Sequence, residues 1–219
     1  MDYRTIIQKI IYVIINPLIK AMIRIGITPN QTTALGFLGN IGATCLFIAA
    51  ALDMQSGKQE AAFSLICWGG VVILLAGLFD MMDGRLARLG GMSTAFGALW
   101  DSTLDRYSEL VTLFGICLVF IQSGWFWLGV TTFVAMVGSI MVSYVRARAE
   151  GLGIECKVGL MQRPERVVVT ALAAIVSGAT GNLWWLAGGM ILIALLANLT
   201  AFWRLAHCYK ELNKQDGQH

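Results

Sequence analysis

Apolar runs of about 20 residues, enough to cross a bilayer as helices, recur along the chain at about 33–52, 61–82, 94–121, 124–148, 164–180 and 183–205. Six spans are predicted, separated by short polar segments such as Asp53 to Glu60. Ahead of them the pattern differs. Thr5, Gln8, Lys9, Tyr12, Asn16, Lys20 and Arg24 recur every three or four positions opposite Ile6, Ile7, Ile10, Ile11, Ile14, Ile15, Leu18, Met22 and Ile23. So continuous a polar stripe predicts an amphipathic helix over about 4–24, broken or kinked near Asn16-Pro17 and lying in the membrane surface with its lysines toward the headgroups. The run Ile27-Thr28-Pro29-Asn30-Gln31-Thr32-Thr33 supplies turn and helix-start chemistry. From His207 the tail is polar, and no repeat or composition shift marks a second domain. The expected fold is all-α and integral to the membrane: a surface helix and six spans in one domain over 1–219.

Composition strengthens that reading. Apolar residues make up 57% of the chain, charged residues only 13%, and the mean hydropathy is +0.70, whereas a soluble domain carries about 25% charged residues. A disordered chain and a free cytosolic enzyme are excluded. A secreted disulfide scaffold is excluded too, because the five cysteines are scattered and form no CxxC. Residues 1–24 lack the charged start, compact apolar core and small-residue cleavage site of a signal peptide, so none is expected. The 24 glycines suit close contact between membrane helices. With six spans, every Lys and Arg except Lys58 and Arg106 falls on the side of the two termini. That bias predicts cytoplasmic termini.

The apolar pattern fails in spans 2 and 3, where Asp80, Asp83, Asp101 and Asp105 lie within or beside the helices. A charge in the bilayer interior costs several kcal/mol unless it is compensated. Asp80 and Asp83 are spaced i,i+3 and Asp101 and Asp105 i,i+4, so each pair shares a helix face. The connection between the spans is short and carries Gly84, Gly90 and Gly91. It predicts an antiparallel hairpin with the two pairs facing each other near the cytoplasmic end. Four converging carboxylates repel unless cations sit between them. The only histidines are His207 and His219, so an all-oxygen set points to hard divalent ions, Mg2+ or Mn2+, and four aspartates could hold two. A salt-bridge cluster with Arg85, Arg88 and Arg106 would not by itself call for two carboxylate pairs at helical spacing.

The pattern Asp80-x2-Asp83-Gly84-x2-Ala87-Arg88-x8-Gly97-x3-Asp101-x3-Asp105 resembles, at every fixed position, the signature of the CDP-alcohol phosphotransferases. The resemblance implies a surface helix followed by six spans. It also implies transfer of a phosphatidyl-type group from a CDP-activated lipid to an alcohol, with release of CMP. Asp80, Asp83 and Asp101 would hold metal, and Asp105, near the metal, would be the general base. Gly84 and Ala87 would let cytidine approach the backbone, Arg88 would lie on the nucleotide side, and Gly97 would give room opposite. Thr28-Pro29-Asn30 resembles a family segment near the nucleotide, which adds Pro29, Asn30 and Thr33 to the CDP-lipid site; Asn30 stands where an Asp is frequent.

A second cluster concerns the acceptor. Span 4 ends Ser143-Tyr144-Val145-Arg146-Ala147-Arg148-Ala149-Glu150, span 5 opens Arg163-Pro164-Glu165-Arg166, and Arg204 ends span 6 on the same side. Convergent arginines beside a helix N-terminus suit a phosphate, although positive-inside anchoring explains any one of them. Together with Asp101-Ser102-Thr103-Leu104-Asp105-Arg106, these segments resemble the prokaryotic phosphatidylinositol-phosphate synthases within the family. That resemblance implies CDP-diacylglycerol as donor and inositol 1-phosphate as acceptor, with Arg146, Arg163, Arg166 and Arg204 on the acceptor phosphate. Arg146 stands where relatives often have Lys. A homodimer is implied as well, and no nucleic acid. Glycerol 3-phosphate would want the same arginines and is the competing acceptor. A divalent-cation channel is the competing class, but its acids would be spread along a route across the membrane. Here the aspartates cluster at one end, with only Glu109 one turn deeper.

Overall fold

The computed structural model describes residues 15–216. Residues 15–24 are helical (α1); the first part of the expected surface helix, 4–14, lies outside the described residues. Six helices follow: α2 Pro29–Gln55, α3 Gln59–Leu89, α4 Ala95–Gln122, α5 Phe126–Glu150, α6 Arg163–Thr180 and α7 Trp184–Asp216. They coincide with the six predicted spans to within a few residues, except that α3 and α7 run on beyond the apolar stretch. Among the described residues there is no strand.

Four of these helices, α2, α3, α5 and α7, are long and apolar enough to cross a membrane. The other two fall short because of charge: α4 carries Asp101, Asp105, Arg106 and Glu109, and α6 opens on Arg163, Glu165 and Arg166. Large apolar side chains such as Trp68, Leu75, Phe133, Leu195 and Phe202 are exposed, as a hydrocarbon solvent requires and water does not tolerate. The chain is an all-α, multi-pass membrane protein.

Helix starts follow local chemistry. Thr28 and Gln31 form a capping box at α2: the Thr28 amide donates to Gln31 Oε1 (2.9 Å) and the Gln31 amide to Thr28 Oγ1 (3.4 Å). Pro29 takes the first helical position, where its missing N–H costs nothing. Thr94 Oγ1 accepts the Gly97 amide (2.9 Å) and caps α4. Between α3 and α4 the Met92 amide reaches back to the Ala87 carbonyl (2.9 Å) around Gly91 at φ 63°, a left-handed helix stop that suits glycine.

The chain divides into two compact units. One comprises residues 1–39 and 75–107, the other 40–74 and 108–219. In the first, Ile15, Ile19 and Met22 of α1 pack on Met82 and Leu86 of α3, and Arg85 Nε donates to Asn16 Oδ1 (3.3 Å). This part of α1 therefore spends its apolar face on protein, while Leu18, Lys20 and Arg24 remain exposed. In the second unit Phe47, Ile66, Leu113, Ile116, Phe120, Met190 and Ile193 form the centre of one large core. There α3 and α6 cross through glycine: a Cβ on Gly70 would stand 2.7 Å from the Ala171 carbonyl, and one on Gly178 2.5 Å from the Cys67 amide. All five cysteines are free, in line with their scattered placement.

Candidate active site

The aspartate motif lies in the first unit, where three helix ends meet. The beginning of α2 approaches α3 through small residues. A Cβ on Gly39 would be 3.1 Å from Ala76 Cβ, and one on Gly36 would be 3.3 Å from both the Ala76 carbonyl and Asp80 Oδ1. This close approach brings Thr33 to Asp83. The Thr33 hydroxyl donates to Asp83 Oδ2 (2.6 Å) and lies 3.1 Å from the Pro29 carbonyl, while the Gly84 amide donates to Asp83 Oδ1 (2.5 Å). Asp83 is buried at 3% exposure, so these donors offset part of the cost of its burial.

The start of α4 closes the third side. Trp100 Nε1 donates to the Asn30 carbonyl (3.3 Å), and a Cβ on Gly97 would stand 3.3 Å from Asn30 Oδ1 and 3.0 Å from Thr94 Oγ1. The result is a cavity of about 230 Å3 lined by Pro29, Asn30, Thr33, Asp83, Gly84, Ala87, Arg88, Gly97 and Asp101, with Met92, Ser93, Thr94 and Ala98. Every residue expected on the CDP-lipid side by sequence is in that lining, together with two of the four aspartates. A Cβ on Gly84 would meet only an Arg88 terminal nitrogen, at 3.9 Å. Asp80 stands one turn before Asp83, against Gly36, and Asp105 one turn after Asp101; neither lines this cavity.

The donor set fits a hard divalent cation. It is all carboxylate oxygen, with Asp83 and Asp101 opening on the same cavity and Asp80 on the Asp83 helix face. Among the described residues, no three His, Cys, Asp or Glu side chains are gathered tightly enough to hold an ion as they stand.

The four arginines expected at the acceptor all lie in the second unit, and their environments differ. Arg146 pairs with Glu150 (2.9 Å), its side chain 42% exposed. Arg163 is half-buried at the start of α6. Arg166 is 1% exposed and forks onto Glu109, Nε to Oε1 at 2.5 Å and a terminal nitrogen to Oε2 at 2.8 Å. Arg204 is 2% exposed and donates to the Val158 and Val142 carbonyls (2.8 and 2.7 Å). Sequence reading gave no role to Glu109, Thr94 or Trp100. For Glu109 the signal was present, an unexplained acid one turn beyond Asp105, but its partner lies 57 residues away in the chain.

Known proteins place this arrangement. The phosphatidylinositol phosphate synthase of Mycobacteroides abscessus is 35% identical over 194 residues, 88% of this chain and 82% of that protein. An archaetidylinositol phosphate synthase of Methanothermobacter thermautotrophicus is 36% identical over 189 residues, covering 86% and 87%. The crystal structure of Mycobacterium tuberculosis phosphatidylinositol phosphate synthase with CDP-DAG bound superposes with a TM-score of 0.69 at 32% identity, over 88% of this chain and 92% of that one. The same enzyme in complex with manganese and citrate gives a TM-score of 0.68. The sequence profile of the CDP-alcohol phosphatidyltransferases matches residues 26–203, a stretch that contains the whole aspartate motif and its cavity. With that match over most of its length, the chain belongs to the CDP-alcohol phosphatidyltransferase family.

Proposed function

We propose that this transferase moves the phosphatidyl group of CDP-diacylglycerol to inositol 1-phosphate, forming phosphatidylinositol phosphate and CMP. The observation that carries the donor half is the cavity in which Asp83, Asp101 and the seven residues expected to meet the CDP-lipid share one lining. The acceptor half rests on the relatives, whose names share an inositol phosphate product and differ in the lipid, phosphatidyl against archaetidyl.

Asp80, Asp83, Asp101 and Asp105 would hold Mg2+ or Mn2+, two ions in the fullest case, and the manganese in the M. tuberculosis enzyme supports that choice. Bound there, the metal supplies charge stabilisation for the diphosphate and the departing CMP. The protein's own groups do the rest. Pro29, Asn30, Thr33, Gly84, Ala87, Arg88 and Gly97 receive and orient the nucleotide. The Asp105 carboxylate takes the proton of the acceptor hydroxyl as its oxygen bonds to the β-phosphorus and the bond from that phosphorus to the CMP oxygen breaks. Arg146, Arg163, Arg166 and Arg204 provide the positive charge that draws the acceptor phosphate.

The whole chain acts as one catalytic domain with six spans and a surface helix. The charge bias supports a cytoplasmic position in the cell membrane for both termini and the site, and the active form is a homodimer among membrane lipids. The test is CMP release by purified protein from CDP-diacylglycerol, with inositol 1-phosphate, inositol, glycerol 3-phosphate and serine in parallel. Preference for glycerol 3-phosphate would replace the acceptor assignment. Absence of CMP release with every acceptor would overturn the function.

A further inference from the structure

The cavity of the first unit is enclosed by α2, α3 and α4, and each pair of helices is joined differently. α3 and α4 are held by their short turn, in which the Met92 amide returns to the Ala87 carbonyl (2.9 Å) around Gly91. α2 and α3 are held by the close approach at Gly36 and Gly39 and by the Thr33 hydroxyl on Asp83 Oδ2 (2.6 Å). α2 and α4 are not consecutive in the chain, so their separation rests on side chains.

Two aromatic residues of α4 make that join. Trp100 Nε1 donates to the Asn30 carbonyl (3.3 Å). Tyr107, two turns further along α4, meets Phe37 edge to face with ring centroids 6.5 Å apart. The indole is itself oriented by Phe96, one turn earlier, whose ring stacks on it at 6.1 Å and 29°. Asn30 lies at the second position of α2, and its carbonyl has a second lone pair beyond the one its helix bond uses. The indole N–H therefore adds a contact without removing one from the helix. Asn30 lines the α2 wall of the cavity, and Gly97 and Asp101, on either side of Trp100 in sequence, line the α4 wall. One hydrogen bond thus fixes the spacing of these two walls at their helix starts.

We propose that Trp100 is a positioning residue for the donor, an assignment that rests on the CDP-lipid reading of this cavity. Its indole N–H latches the first turn of α2 to α4 and so sets the width of the slot that takes the nucleotide. Trp100 is not itself in the cavity lining; it acts through Asn30 and the α4 wall. Leucine or phenylalanine at position 100 would fill much of the same space, but only the indole brings a donor to the Asn30 carbonyl. A slot held at fixed width binds the donor without first being ordered, which is an advantage in affinity rather than in the chemical step.

The experiment uses the full-length protein carrying Trp100→Phe, which keeps an aromatic ring against Phe96 and removes the donor. CMP release is titrated in CDP-diacylglycerol, in the acceptor and in Mn2+, and hydrogen exchange is followed over residues 28–33 without substrate. We expect a KM for CDP-diacylglycerol raised about 3–10-fold, the scale of one neutral hydrogen bond. The kcat, the acceptor KM and the Mn2+ titration should stay near wild type, while exchange in the first turn of α2 becomes faster. Phe96→Leu keeps the donor but removes the stacked ring, and should move the donor KM and the exchange the same way by a smaller factor. An unchanged donor KM in Trp100→Phe overturns the proposal. So does an equal shift in the Mn2+ titration, which would mean that position 100 acts through the adjacent Asp101 instead of α2. Should Trp100→Phe fail to fold, benzothienylalanine at position 100, which keeps the bicyclic shape and lacks the N–H, takes its place in the same measurements. If the wild type releases no CMP with any acceptor, the donor reading falls, while exchange over 28–33 still decides the latch.

Discussion

At the scale of single residues, the proposed mechanism separates groups that do chemistry from groups that hold them. Asp105→Asn keeps the side-chain shape but cannot take a proton. Turnover should fall at least ~10²-fold, the usual scale for loss of a general base, while CDP-diacylglycerol still binds; unchanged turnover would remove Asp105 from the mechanism. Thr33 illustrates the holding role. Its hydroxyl is 2.6 Å from Asp83 Oδ2, and Val would preserve the branched shape without the donor. Partners behind a metal ligand are typically worth 10–100-fold in metal affinity. Thr33→Val should therefore raise the Mn2+ concentration for half-maximal activity at least ~10-fold. A metal titration matching wild type would mean that Asp83 is not a metal ligand or does not depend on this donor.

At the scale of helices, glycine has two distinct uses. Gly178 permits α6 to cross α3, since its Cβ would stand 2.5 Å from the Cys67 amide and the Phe63 carbonyl, both backbone atoms that cannot step aside. Gly178→Ala should destabilise by about 1–3 kcal/mol, the usual cost of overpacking, read as a lower Tm in detergent. Gly188→Ala, where an added Cβ would meet no atom of another element within 4 Å, is the control and should leave Tm nearly unchanged. Gly84 has the other use. It lines the cavity, and a Cβ there would meet only the flexible end of Arg88, at 3.9 Å. Gly84→Ala should fold with wild-type Tm yet raise the KM for CDP-diacylglycerol, because the added methyl occupies nucleotide space. A lowered Tm with normal KM would reverse that assignment. The sequence showed a glycine at both sites; only the neighbours tell packing from substrate room.

At the scale of the molecule, the metal requirement and the orientation are the properties to test. Excess chelator should abolish CMP release, and Mg2+ or Mn2+ should restore it. Ca2+ should bind but support little turnover, being larger and less strict in geometry. Asp80→Ala should be inactive at every metal concentration, and full activity in chelator would sink the mechanism as a whole. The charge bias predicts that protease added to the cytoplasmic face of sealed vesicles cuts the tail beyond His207; cutting only from the opposite face would invert the topology.

Hydropathy alone located six helices to within a few residues, because a bilayer imposes a length and a composition on each span. It could not say that a charge on α4 and one on α6 pair with each other, Glu109 with Arg166. The lining of the cavity in the first unit was legible for a local reason. Its residues come from the start of α2, the end of α3 and the start of α4, and those of α3 and α4 belong to one short-connected motif with fixed spacing. The arginine cluster was legible only as charge. Arg146, 42% exposed, pairs four residues away with Glu150, whereas Arg166, 1% exposed, is held by a carboxylate 57 residues away in the chain. Sequence thus determined the helices and the residues that line the cavity, through periodicity and local spacing. Tertiary packing decided which charges are exposed and which are buried on a partner, because burial and pairing are properties of neighbours in space.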